Sequence, residues 1–159
     1  MDDILMLLEK DGRLTAKQIA AALGRDEAEV RQAIAKYEED GAILKYTALI
    51  NHENLDEESV TALIEVKISP QHGEGYDRIA KRIYQYDEVE SLYLMTGTYD
   101  LLVTMTARTM KDAAQFVYEH LAAIDGVTST ATHFIMKKYK EKNTIFEREP
   151  EQEERLIFV

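Results

Sequence analysis

The sequence contains no cysteine. That excludes disulfides, thiolate zinc sites and cysteine nucleophiles, and it fits a reducing cytoplasm. Long apolar runs are also missing: nothing approaches the roughly 18 residues that a membrane span needs. The opening "MDDILMLLEK" is acidic where a signal peptide would be basic. Catalytic patterns are absent as well. His52, His72, His120 and His133 have no metal-ligand spacing, and there is no G-x-S-x-G or phosphate-binding glycine loop. No cofactor is implied.

Positive charge is scarce. Lys and Arg number 19 against 30 Asp and Glu, a net charge of −11. This counts against non-specific nucleic-acid binding, which depends on basic charge. The veto is weak, because at about 0.15 M salt exposed charges are screened beyond roughly 8 Å. A local basic edge can therefore work on an acidic protein.

What is present falls into two parts. The first fifty residues have helical periodicity. "DDILMLLEKDG" puts Ile4, Leu5 and Leu8 on one face and stops at Gly12. "TAKQIAAALG" opens with Thr15 and has Gln18 three residues later, which is a capping box. Asp26 and Glu29 repeat that device ahead of a third helix, whose Val30, Ile34 and Tyr37 share a face. "AILKYTALI" (42–50) reads as an extended connector, and "NHENLDEES" (51–59) as a loop between domains.

Beyond the loop the period changes to two. "TALIEVKIS" alternates, with Ala62, Ile64, Val66 and Ile68 on one side, and Pro70 ends it. A helix over "GYDRIAKRIYQY" follows. Two strands come next, "EVESLYLM" and "YDLLVTMTA", joined through "TGT". "MKDAAQFVYEHLAAI" is a helix, and "TSTATHFIMKKYK" (128–140) a final strand. The order β-α-β-β-α-β is the ferredoxin-like split pattern. Leu92 and Leu94 are expected on one face of their strand, with Val89, Tyr93 and Met95 on the other. Two helices cover only one face of a four-stranded sheet, so the second face calls for a partner sheet, most simply a second copy of the chain. Lys137, Lys138, Lys140 and Lys142 close the last strand and read as solvated rather than as a nucleic-acid patch. The tail over 143–159 is acidic with an apolar end, which is expected to dock rather than stay exposed.

The second and third helices fit a helix-turn-helix frame. Ala20 is small where two helices cross, Gly24 makes the turn, and Val30 plugs the crossing. The bland alternative is a small helical bundle that binds protein. The third helix is rich in acid, but projection at 100° per residue sorts that acid. Asp26 and Glu29 have capping work at the positive helix end. Glu27 lies toward the buried edge. Glu38, Glu39 and Asp40 occupy the last turn, away from the N-terminal part that meets bases in such motifs. The outward face keeps Ala28, Gln32 and Ala35, with Arg31 and Lys36 on its edges. Gln reads adenine, and alanine leaves room for a thymine methyl. The expected DNA surface is Arg25, Ala28, Arg31, Gln32 and Lys36, against double-stranded DNA.

The two halves together resemble the Lrp/AsnC family of transcription regulators. The resemblance rests on "DILMLLEKDGRLTAKQIAAALG", Val30, Ile34, "YEEDGAI" and Tyr46 at the front, and on "TGTYDLLV" and "IDGVTSTATHFI" behind. It implies an α+β protein: a winged-type helix-turn-helix domain over 1–50, then a ferredoxin-like βαββαβ domain over 51–142 that dimerises and senses a small molecule. It further implies a homodimer, with octamers built from dimers as a common assembly, and an amino-acid effector. Such an effector would meet Gly97, Thr98, Tyr99 and Asp100 in the strand connection, with Thr130 and Thr132 supplied by a neighbouring subunit. Asp100 would pair with its ammonium, and backbone N–H groups would hold its carboxylate. Read without the family, Gly97 and Asp100 are a plain turn with a local hydrogen bond. Two features depart from the family pattern: Ala33 stands where arginine is usual, and Asp26 where Ser or Thr is usual. Both place less positive charge near phosphates. Two other outcomes share this architecture: an amino-acid sensor with weakened DNA binding, and the sirohaem decarboxylases, which would want arginines and histidines converging on a tetrapyrrole.

Overall fold

The computed structural model describes residues 2–55, 58–69 and 75–146. They form two compact units that divide between Ile50 and Asn51. The tail from position 147, and with it the docking expected of its apolar end, lies outside the described residues.

The first unit holds three helices: α1 (Asp3–Lys10), α2 (Ala16–Leu23) and α3 (Glu27–Glu39). Each begins at a side chain that satisfies orphan backbone N–H groups. Asp2 accepts the Ile4 N–H at 2.8 Å. Thr15 and Gln18 form the complete reciprocal box at α2. Asp26 accepts the N–H groups of Ala28 and Glu29, but the return bond from the Glu29 side chain does not form, so only half of the expected second box exists. Gly24 turns the chain between α2 and α3 in the left-handed region, φ +63°, where an L side chain is strained. Ile4, Leu8, Ile19, Ala20 and Val30 are buried together, and Ala33, Ile34 and Tyr37 pack against them. Burial of each large aliphatic side chain stabilises the unit by about 1.5–3 kcal/mol. Residues 42–50 carry neither helix nor strand.

The second unit is a four-stranded antiparallel sheet in the order β2-β3-β1-β4, built from β1 (Val60–Ile68), β2 (Val89–Leu94), β3 (Leu101–Ala107) and β4 (Val127–Phe134). Helices α4 (Gly75–Ile83) and α5 (Met110–Phe116) lie on one face, and α5 runs on through a π turn, Val117–Leu121. Alternation decides which side chains meet the helices. Ala62, Ile64, Val66 and Ile68 of β1 and Leu101, Val103 and Met105 of β3 are buried with Ile79, Ile83, Phe116 and Leu121. On the opposite face Leu63, Glu65, Leu102 and Thr104 are half-buried, Tyr93 is 54% exposed, and no layer of described residues covers them.

The structure departs from the sequence reading at two strands. The β2–β3 register shifts between Val89 and Ser91. That extra residue flips the side-chain parity, so Val89 joins Leu92 against the core instead of sharing a face with Tyr93. The last strand ends at Phe134, not at 140. Its final tie is the Ile135 N–H to the Thr61 carbonyl, and β1 begins at Val60, so the partner runs out. The chain then forms a separate hairpin, β5 (Lys140–Glu141) with β6 (Thr144–Ile145). Its turn residues Lys142 and Asn143 have φ of 44° and 63°. Two left-handed residues are the mark of a type I′ turn, and for an L residue such as lysine that conformation costs about 1–2 kcal/mol.

Candidate DNA-binding and ligand-sensing sites

The outward surface of α3 follows from its burial. Val30 points inward, so Ala28, Gln32 and Lys36, four residues apart, line up on the exposed side. Arg25 is exposed in the turn just before the helix. Arg31 is exposed but engaged: its guanidinium bonds Glu27 one turn back. The (i, i+4) spacing of Glu27 and Arg31 brings the two side chains together on adjacent turns of the helix.

Two tyrosines tie the C-terminal end of α3 to the rest of the unit. The Tyr37 hydroxyl donates to Asp2 Oδ2 at 2.7 Å. The Ile4 N–H and then that hydroxyl hold the Asp2 carboxyl below its ordinary value, while the bond to Asp2 raises the Tyr37 phenol. The Tyr46 hydroxyl donates to Glu38 Oε1 at 2.9 Å. Partial burial, then this bond, raises the Tyr46 phenol. The Tyr46 ring rests on Gly12, where an added Cβ would lie 3.3 Å from Cδ1. Sequence reasoning did not find these contacts or the open groove bordered by Gly12, Glu38 and Tyr46, which Leu14, Ile34 and Ala35 also line.

In the second unit the connection between β2 and β3 is closed by the Met95 N–H donating to the Asp100 carbonyl at 2.8 Å. Asp100 is further anchored to β1: its N–H donates to the Val66 carbonyl at 3.0 Å, and its Oδ2 accepts the Ile68 N–H at 2.7 Å. Its Oδ1 has no partner among the described residues. Gly97 sits at φ +133° with nothing within 4 Å of an added Cβ. The N–H groups of Thr96, Gly97, Thr98 and Tyr99 donate to no described residue. Unengaged amides gathered in one tight loop are suited to an anion.

Thr130 and Thr132 stand opposite Val66 and Ile64 on edge strand β4, half-buried on the helix-covered side. Leu101 also pairs with Val66. Thr130 is thus two strand spacings, about 10 Å, from the Asp100 end of β3, and Thr132 is about 7 Å further along the strand. Within one chain the loop and Asp100 come together. Thr130 shares their end of the sheet without touching them, and Thr132 lies beyond.

Two family descriptions match the sequence: a winged helix-turn-helix DNA-binding domain over residues 3–43 and the Lrp/AsnC ligand binding domain over residues 61–145. The chain belongs to the Lrp/AsnC family. It is 44% identical to the HTH-type transcriptional regulator YugG of Bacillus subtilis, over 91% of this chain and 88% of the relative. It is 30% identical to the regulator FL11 of Pyrococcus abyssi, over 87% and 88%. Among solved structures it is similar to the regulator NMB0573 of Neisseria meningitidis, determined with L-Met, at 24% identity and a TM-score of 0.73, over 89% of this chain and 93% of that one. This Lrp/AsnC member is therefore a DNA-binding transcriptional regulator: a helix-turn-helix unit followed by a ligand-binding unit. No helix of its described residues is long and apolar enough to cross a membrane.

Proposed function

We propose that this regulator reads duplex DNA through Arg25, Ala28, Arg31, Gln32 and Lys36, and that its ligand is a free amino acid held at the β2–β3 connection. One observation carries the ligand reading: unengaged backbone amides of residues 96–99 stand beside an Asp100 carboxylate with one open oxygen. A free amino acid presents a carboxylate and an ammonium on adjacent atoms, and those two features complement them. The relative solved with L-Met supports the same ligand class. Thr130 and Thr132 stand apart from the loop within one chain and face the helix-covered side, so they join the site from a neighbouring copy through a contact other than the open face.

Copies meet through the open face of the sheet, around Leu63, Tyr93 and Leu102. A ligand that bridges two chains biases assembly, and assembly sets which helix-turn-helix units engage DNA together. This regulator acts in the cytoplasm, where the free amino-acid pool and the DNA are both at hand.

Asp100→Asn tests the ligand site. The amide carbonyl can still accept the Ile68 N–H, so the fold is kept, while the negative charge is lost. Calorimetry against the twenty amino acids should find one or more that bind the parent and not the variant. Undiminished binding by Asp100→Asn would overturn the assignment.

A further inference from the structure

The hairpin beyond the sheet reverses the sign of the protein. Residues 136–145, "MKKYKEKNTI", hold four lysines and one glutamate, a local excess of +3 in a chain of −11. Lys138 is neutralised by Glu141 at 3.2 Å. Lys137 stands 4.8 Å over the ring of Tyr139. Lys140 and Lys142 are exposed and have no partner among the described residues.

The tip is the telling position. A type I′ turn asks for positive φ at both central residues, and glycine or asparagine meets that demand most easily. Asn143 does so, yet position 142, at φ 44°, holds a lysine. A cation is kept at the apex against the backbone preference. Strained residues that persist point to a use.

We propose that this hairpin is a second contact with DNA, made to the phosphate backbone through Lys140 and Lys142. The inference rests on the DNA-binding reading. Half to two-thirds of protein–DNA hydrogen bonds go to phosphate and sugar. The helix-turn-helix unit is poorly supplied for them: residues 1–50 hold seven bases against ten acids. Two of those bases are engaged, Arg31 by Glu27 and Arg13 by Asp11. Lysine is a point charge on a flexible stem, suited to a row of phosphates rather than to a fixed base edge. The hairpin thus adds affinity without sequence preference.

The test uses the full chain and a duplex selected by the unaltered protein from a random pool, with Kd followed against KCl. Lys140→Gln with Lys142→Gln should weaken binding on the order of tenfold and make the log–log salt slope shallower by about two. Lys142→Gly separates charge from fold. It should melt at or above the parent temperature, since glycine relieves the turn, yet lose about one unit of slope. Lys142→Arg should keep the slope. Unchanged affinity and slope in the double variant, with Arg31→Ala still weakening binding, overturns the hairpin contact and leaves the helix-turn-helix reading standing. Weakened binding accompanied by a smaller species in sedimentation overturns it in favour of a contact between copies. Failure of the unaltered protein to select any duplex removes both readings.

Discussion

The Asp100 carboxylate accepts the backbone N–H of Ile68 at 2.7 Å, across 32 residues of sequence. The bond falls where the β1–β4 register shifts between Lys67 and Ile68. It satisfies an amide on the β3 side of β1, beyond the first β3 residue Leu101, which pairs with Val66. Asp100→Ala should therefore destabilise the ligand-binding unit by about 1–3 kcal/mol, while Asp100→Asn should melt close to the parent. Differential scanning calorimetry of the two variants checks this. Equal melting of Asp100→Ala and the parent would show that the bond contributes nothing.

Arg31 must leave Glu27 to reach a phosphate. An exposed (i, i+4) pair is worth only about 0.3–0.5 kcal/mol, so the exchange is cheap. Arg31→Ala should weaken DNA binding and make the salt slope shallower by about one unit. Glu27→Gln should tighten binding by releasing the guanidinium. Gln32→Ala should instead relax sequence preference, visible as a broader pool of selected duplexes. Variants that all bind like the parent would place the DNA surface elsewhere.

The open sheet face gives a third expectation. Leu102→Glu puts a charge at its centre, opposite Tyr93 in the ladder. Burying an unpaired carboxylate between two sheets costs several kcal/mol. Sedimentation velocity should show the parent as a dimer or larger, and the variant shifted to monomer with its circular dichroism unchanged. A parent that runs as a monomer would refute pairing through this face.

The Asp2–Tyr37 bond makes the first unit pH-sensitive in a defined direction. The Ile4 N–H and the Tyr37 hydroxyl lower the folded Asp2 carboxyl below its ordinary 3.8. The stability it supplies is thus present above pH 3.8 and lost as pH falls through the depressed folded value. Tyr37 is raised above 10.0, so its share persists below pH 10 and is lost as pH rises through the higher folded value. Amide hydrogen exchange of α1 should be faster in Asp2→Asn than in the parent at pH 7. The difference should vanish in strong acid. A difference that grows on acidification would contradict the assignment.

Much of this architecture was legible because its signals are local. Thr15 and Gln18 lie three residues apart, and Ala62 through Ile68 alternate without interruption. The features that escaped depend on distant partners. Val89 changed face because a bulge inserts one residue, which parity counting does not see. β4 left the sheet after the Ile135 tie to Thr61, where β1 extends only one residue further, to Val60, although the sequence stays apolar through Met136. Of the sites, the exposed row Ala28, Gln32 and Lys36 followed from helical period alone. The bond between Asp100 and Ile68, and the closed loop with its unengaged amides, needed the folded chain.

The two broken ladders have a consequence for solubility at high concentration. Strands β2 and β4 are the edges of the sheet, and each pairs inward through an interrupted register, at Val89/Ser91 and at Lys67/Ile68. A flat, regular edge is a template on which further chains add strand by strand into fibrils. A bulge bends and twists its strand, so an incoming strand cannot stay in step along its length. Sideways growth of the sheet is blunted at both margins. Lateral recruitment into amyloid is thereby disfavoured, and the flat of the sheet is left as the surface on which copies can meet.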